Sequence, residues 1–339
     1  MTDSAQRRRE LRPMNIYVMR GSHAEHKYHA AAGVPLLEPE VLAPGIAPTP
    51  AHDLLFHGGK TIRNLTFSNL YVADSAWNQS DMQNIDRALS SAMADVNLNN
   101  VMAQYFDGTP PTSTFASSQG LPGSPPPVVS QGDIEQLVTT LQSERKLAGF
   151  DLGSTVFNFM LPRSTILNDD PAQGAARGAP NVSQRRGVPD EAEADSLHGL
   201  GGYHGSVHVG SVTIYYAVGV YSEASGGQIN GIPVFDQPWK NVVATFYHEL
   251  NEARTDPDVE DVINGGSPAL LGWTSRQGEE CGDFPVSEAS PLTLVFQEVP
   301  VASGSAPVQF MYSNYVHGPE GPVTRPDPPS QHKGHHRRH

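Results

Sequence analysis

Apolar and polar positions alternate most cleanly over SVTIYYAVGVY, residues 211–221. There Val212, Ile214, Tyr216, Val218 and Val220 share one face, as a strand requires. STVFNFMLP (154–162) is instead almost continuously apolar, the pattern of a strand covered on both faces. TIRNLTFSNLYVA (61–73) reads as a further strand, and DMQNIDRALSSAMADV as a helix capped by Ser80 or Asp81 and continuing through NLNNVMAQYF. A second helix is predicted in GDIEQLVTTLQSERKLAG, where Ile134, Leu137, Val138 and Leu141 keep helical spacing and Gly149 marks the end. PLTLVFQEV (291–299) and PVQFMYSNYV (307–316) read as a hairpin closed by a Gly/Ser turn.

Between these elements the pattern breaks down. Residues 1–55 lack steady periodicity and are expected to form an irregular arm. The Pro/Gly/Ser-rich stretch 108–127 is expected to be loop, and 168–198 an exposed insertion open to proteolysis. Residues 317–339 are expected to be a disordered His/Arg-rich tail. The order of elements predicts a mixed α/β layered structure in one globular domain over residues 56–316.

Composition narrows the function classes. A formal charge of −14 disfavours a polyphosphate partner, so nucleic-acid binding is not expected. No apolar run approaches the ~18 residues of a membrane helix, and the charged N-terminus is not followed by an apolar stretch of the kind a signal peptide carries. The expectation is a soluble protein that does not act at a membrane, its compartment undetermined. The single cysteine, Cys281, excludes an intrachain disulfide framework and is expected to be a small buried residue.

The chemistry concentrates in NVVATFYHELNEARTDPDV. His248 and Glu252 stand four residues apart and therefore share a helix face, with Glu249 beside them. This is the HExxH arrangement with glutamate in place of the second histidine. With about 100° per residue, Glu252 falls near 40° and Glu249 near 100° from His248. Val242, Phe246, Leu250 and Ala253 fall at about 120–200°. The expectation is a helix anchored by its apolar back, presenting His248 and Glu252 to a cleft. A zinc site needs about three protein ligands. About 25 residues on, GWTSRQGEECGDFP supplies Glu279, Glu280 and Asp283, and one of these downstream carboxylates is the expected third ligand. His204, between Gly202 and Gly205 in GLGGYHGS, can polarise a substrate carbonyl, stabilise an oxyanion or ligate metal. It can equally be a loop histidine bonded to backbone. Asp256 and Asp258 read as a helix-ending turn, and His198 and His208 as structural or exposed.

YHELNEARTDPDV, followed by GW and GEECGD, resembles the HExxExxTDP…W…GxExxD pattern of the EXORDIUM-like (phosphate-induced protein) group. GLGGYHGS is similar to that group's Gly-Tyr-His-Ser segment, and the likeness spans roughly residues 60–316. It implies a zincin-like α/β fold with an active-site helix, and carries the motif roles onto His248, Glu249, Glu252, Glu280, Asp283 and His204. The plant members carry several cysteines and a signal peptide, whereas here Cys281 is the one cysteine and no signal peptide is expected. Two functions are expected to compete. One is a zinc-dependent hydrolase, most simply a peptidase acting on peptide or protein, with Glu249 as general base. The other is a binding or structural protein in which the metal staples the 248–283 region. The carboxylate-rich donor set also suits Ca²⁺ or Mn²⁺.

Overall fold

The computed structural model describes residues 46–169, 195–263 and 266–326. Strand β1 (Asn64–Val72) is followed by helices α1 (Gln79–Ala94) and α2 (Val96–Met102), then by strand β2 (Thr112–Leu121). Helix α3 (Gln131–Ser143) precedes strand β3 (Thr155–Met160). Strands β4 (Gly202–Val209) and β5 (Val212–Gly219) form a hairpin, and the long helix α4 (Pro238–Thr255) follows. Helix α5 (Asp283–Glu288) and a second hairpin, β6 (Phe296–Val301) with β7 (Gly304–Gln309), complete the frame.

The main sheet has the order β2-β1-β3-β5-β4, parallel throughout except for the antiparallel edge strand β4. The fold is therefore mixed α/β, as the order of elements predicts. Residues alternate across the sheet and separate two cores. Phe67, Tyr71, Val156, Met160, Tyr215 and Ala217 face α1 and α4. Leu70, Phe157, Phe159, Tyr216 and Val218 face Ile134, Val138 and Leu141 of α3. Val242, Phe246 and Leu250 of α4 join the first core, each contributing about 1.5–3 kcal/mol by burial.

Several boundaries differ from the sequence expectation, for identifiable reasons. Asn78, not Ser80 or Asp81, caps α1, its side chain accepting from the Ser80 amide. Asp95 accepts from the amides of Asn97 and Leu98 and so ends α1 while starting α2. The 108–127 stretch is not all loop, because β2 runs through it. This edge strand sends only Phe115 and Leu121 into the cores, so it needs no sustained apolar alternation, and its Thr and Ser residues favour extended backbone. α3 ends at Ser143, before Arg145 takes a positive φ of 59°, so Gly149 closes a following turn. Residues 292–294 are a 3₁₀ turn, and the first hairpin strand begins at Phe296.

The domain is also wider than 56–316. Ile46, His52 and Leu54 are buried, so the described end of the N-terminal arm belongs to the fold. At the other end Gly318–Glu320 pairs with Met311–Ser313, and the Val323 amide donates to the Asn97 carbonyl. The expected insertion leaves and returns through a paired neck, Asn168 with Asp195. Buried Ser196 clamps that neck, its Oγ accepting from the Leu167 amide and its carbonyl from the Gly231 amide. Residues 1–45, 170–194 and 327–339, on which the rest of the arm, insertion and tail expectations fall, lie outside the described residues.

Candidate metal centre

α4 brings its two ligand candidates together by simple periodicity. His248 Nε2 lies 3.0 Å from Glu252 Oε2 across one turn. The helix does not present them to an open cleft, as its amphipathic pattern predicts; Asn241 through Thr255 are all buried. The expectation failed because the polar faces are covered too. Arg254 donates to Asn99 of α2 and to Ser113 of β2. The His248 face is covered by β4, β7 and the Ser275–Asp283 segment.

β4 contributes His204, which is a strand residue rather than a loop one. It pairs with Ala217 on the α4-facing side, while its neighbour Tyr203 turns into the α3 core. Close approach of α4 requires Gly202, where a Cβ would sit 2.9 Å from Thr245 Cγ2 and 3.2 Å from Glu249 Oε1.

The Ser275–Asp283 segment contributes both acidic candidates. The Gly282 amide donates to Glu252 Oε1 at 2.9 Å, and the Tyr312 amide donates to the Cys281 carbonyl at 2.7 Å. A Cβ on Gly282 would fall 2.4 Å from His248 Nδ1. Asp283 sits at the start of α5, its Oδ2 accepting from the Glu280 amide, which leaves Oδ1 3.9 Å from His248 Nε2. Glu280 Oε1 is 3.5 Å from His204 Nε2. The two candidates for third ligand therefore sit against different imidazoles. Glu279 points away and bonds His52 and Ser275.

Each imidazole is held through one nitrogen by an acceptor. Gln309 Nε2 donates to the Gly282 carbonyl at 2.5 Å, which turns its Oε1 toward His248 Nδ1 at 2.8 Å. His248 must then carry its hydrogen on Nδ1, and Nε2 faces Glu252 and Asp283. His204 Nε2 is 3.1 Å from the Asp256 carbonyl, an acceptor only, so its Nδ1 lone pair faces Glu249 Oε2 at 3.4 Å and Glu252 Oε2 at 3.8 Å. This outer-sphere fixing of tautomer is what metal-binding histidines require. Neither holding group was singled out in the sequence. Gln309 carried one faint signal, a polar residue in the apolar run PVQFMY; Asp256 acts through its backbone and carried none.

The electrostatics of this pocket are unbalanced. Glu249, Glu252 and Glu280 are fully buried and Asp283 nearly so. Glu249 Oε1, Glu252 Oε2, Asp283 Oδ1 and both oxygens of Glu280 have no hydrogen-bond donor among the described residues. Burial, then the neighbouring Glu252 carboxylate, hold Glu249, Glu280 and Asp283 well above the ordinary carboxyl range. Burial lowers the pKa of His204, favouring the neutral form that ligates metal. Leaving such carboxylates uncompensated costs several kcal/mol each.

A cation removes the imbalance, and the donors fit one. Two ligands on one zinc ion stand about 3.3 Å apart in tetrahedral geometry, given bonds near 2.0–2.2 Å. The spacings from His248 Nε2 and His204 Nδ1 to the oxygens they face on Glu252 and Asp283 run from 3.0 to 3.9 Å. Two triads of side chains, His248–Glu249–Glu252 and His204–Glu252–Glu280, are placed to hold a metal ion. Other sequence candidates lie elsewhere. His198 bonds Asp195 and His208 bonds Asp261, both at the surface. Cys281 is buried, with its thiol pKa raised by that burial. Asp256 caps α4 and accepts from the Gly272 amide through Oδ1. No helix among the described residues is long and apolar enough to cross a membrane. The chain matches no protein-family model, no curated protein and no solved structure.

Proposed function

We propose that this protein is a zinc-dependent hydrolase, most simply a peptidase, whose metal is held by His248 and Glu252 with Asp283 or Glu280. One observation carries the hydrolytic part. Glu249 is fully buried beside the ligand pair with Oε1 lacking a donor, although a structural site would be complete without it. When bound, zinc supplies Lewis acidity and lowers the pKa of water at its open position. Glu249, beside the ligand pair and held above the ordinary carboxyl range by burial, is placed to accept a proton from that water and return it to a leaving amine. With a single ion bound, His204 Nδ1 faces Glu249 Oε2 at 3.4 Å and accepts a hydrogen bond from that carboxyl while it holds the proton. The mixed sheet with its ligand helix on one face supports the zincin-like reading. The six residues that carry the EXORDIUM-like resemblance all gather in this one pocket. Imidazole donors favour Zn²⁺ or Mn²⁺ over Ca²⁺.

A second reading, a purely structural metal site, is favoured by the closure of the pocket, whose donors are almost entirely shielded from solvent. Glu249→Gln separates the two. Under the hydrolytic reading, peptide turnover falls about 10²–10⁴-fold while zinc content by mass spectrometry is unchanged. Zinc content unchanged in a wild-type protein that cleaves none of a broad peptide library refutes hydrolysis and leaves the structural site. Absence of zinc refutes both.

A further inference from the structure

We infer that the pocket binds two divalent cations side by side, sharing Glu252, with one held by His248, Glu252 and Asp283 and the other by His204, Glu252 and Glu280. The inference rests on the metal-centre reading above and extends it to a dinuclear site.

Geometry separates the two ions. The two imidazoles enter different triads, and Glu252 alone belongs to both. The ligand atoms of the two imidazoles do not fall in one group within 4.8 Å, and an ion bonded at about 2.1 Å cannot join donors more than about 4.2 Å apart, so the two histidines need more than one centre. The acidic residues divide the same way, with Asp283 Oδ1 3.9 Å from His248 Nε2 and Glu280 grouped with His204 and Glu252. Glu252 Oε2 lies between the halves, 3.0 Å from His248 and 3.8 Å from His204. A single carboxylate facing two imidazoles is the bridging position in centres whose ions stand about 3.5–4 Å apart.

Charge points the same way. Glu249, Glu252, Glu280 and Asp283 converge in a volume where none is more than 2% exposed. Two divalent ions balance four carboxylates; one balances half. Arg254, the buried cation on the same helix, is engaged with Asn99 and Ser113 instead. Both oxygens of Glu280 lack a hydrogen-bond donor, so this residue is spare under any single-ion scheme that uses Asp283.

The test is metal content of the full chain, loaded with Zn²⁺, desalted and measured by inductively coupled plasma mass spectrometry. The His204→Ala/His248→Ala double variant serves as baseline and cancels ions on the tail histidines. Wild type is expected to exceed the baseline by two ions per chain, and each single variant, like Glu280→Gln, by one. An excess of one overturns the dinuclear inference and leaves the mononuclear centre standing. An excess of zero overturns both. A readout on the unmutated protein guards against variants that fail to fold. On titration with Co²⁺, the spin-resonance signal per added cobalt is expected to fall as the second ion couples to the first through Glu252. A signal growing in proportion to cobalt up to saturation overturns the inference.

Discussion

Glu279 and Glu280 are joined by one peptide bond and are equally buried, yet their surroundings are opposites. Glu279 Oε2 accepts from Ser275 Oγ at 2.6 Å and faces His52 Nδ1 at 2.7 Å, and His52 in turn stacks on Phe284. That cluster is self-sufficient and pins the N-terminal segment to the 275–283 turn. Glu280 faces one imidazole, His204, and the carboxyl groups of Glu252, Asp256 and Asp283, with no donor for either oxygen. Buried polarity that satisfies itself is architecture. Buried polarity that repels itself is an arrangement that could hold a cation.

The largest expected effect that breaks this contrast is on pH and metal together. Glu249, Glu280 and Asp283 have pKa values raised in the folded state above ordinary values of 4.5, 4.5 and 3.8. Without metal, their contribution to stability is therefore complete below about pH 4 and lost as pH climbs through the raised values. The metal-free protein should melt at lower temperature at pH 8 than at pH 5, and added Zn²⁺ should stabilise it most at pH 8, because the ligands must be deprotonated. Metal-free melting that is flat over this range, followed by calorimetry, contradicts the picture.

Next in size is Gly282→Ala, whose Cβ would intrude on His248 Nδ1 and Glu252 Oε1. Zinc affinity should drop by more than about 100-fold, the upper range seen for disturbing outer-sphere partners. Gln309→Leu removes the acceptor that fixes His248, and a loss of about 10–100-fold is expected by competition with a chromophoric chelator. Unchanged affinity in both would show that the His248 tautomer is irrelevant. The smallest effect belongs to the self-sufficient side. Glu279→Gln should cost about 1–3 kcal/mol in denaturant unfolding and leave zinc content untouched. Loss of zinc in that variant would erase the distinction between the two neighbours.

Much of this was legible in the chain. The buried strand at 155–160 and the alternation at 212–219 appear directly in their side chains. So does the four-residue spacing of His248 and Glu252. β2 was hidden because this edge strand needs no sustained apolar alternation, and the prolines around it speak louder than its Thr and Ser. The cleft was misjudged because a helical wheel separates polar from apolar faces but cannot tell a wet face from one sealed by other polar groups. Assigning Asp283 and Glu280 to different histidines depends on the turn at Gly282, and assigning a strand role to His204 depends on pairing with Ala217. Both are tertiary relations with no local periodicity.

The clasp between Asn168 and Asp195, locked by Ser196, has a consequence for how this chain tolerates change. Ser196 serves the Leu167 amide through its side chain and the Gly231 amide through its carbonyl, so a shift of this one buried residue disturbs two segments at once, whereas the exposed Leu197 beside it carries neither bond.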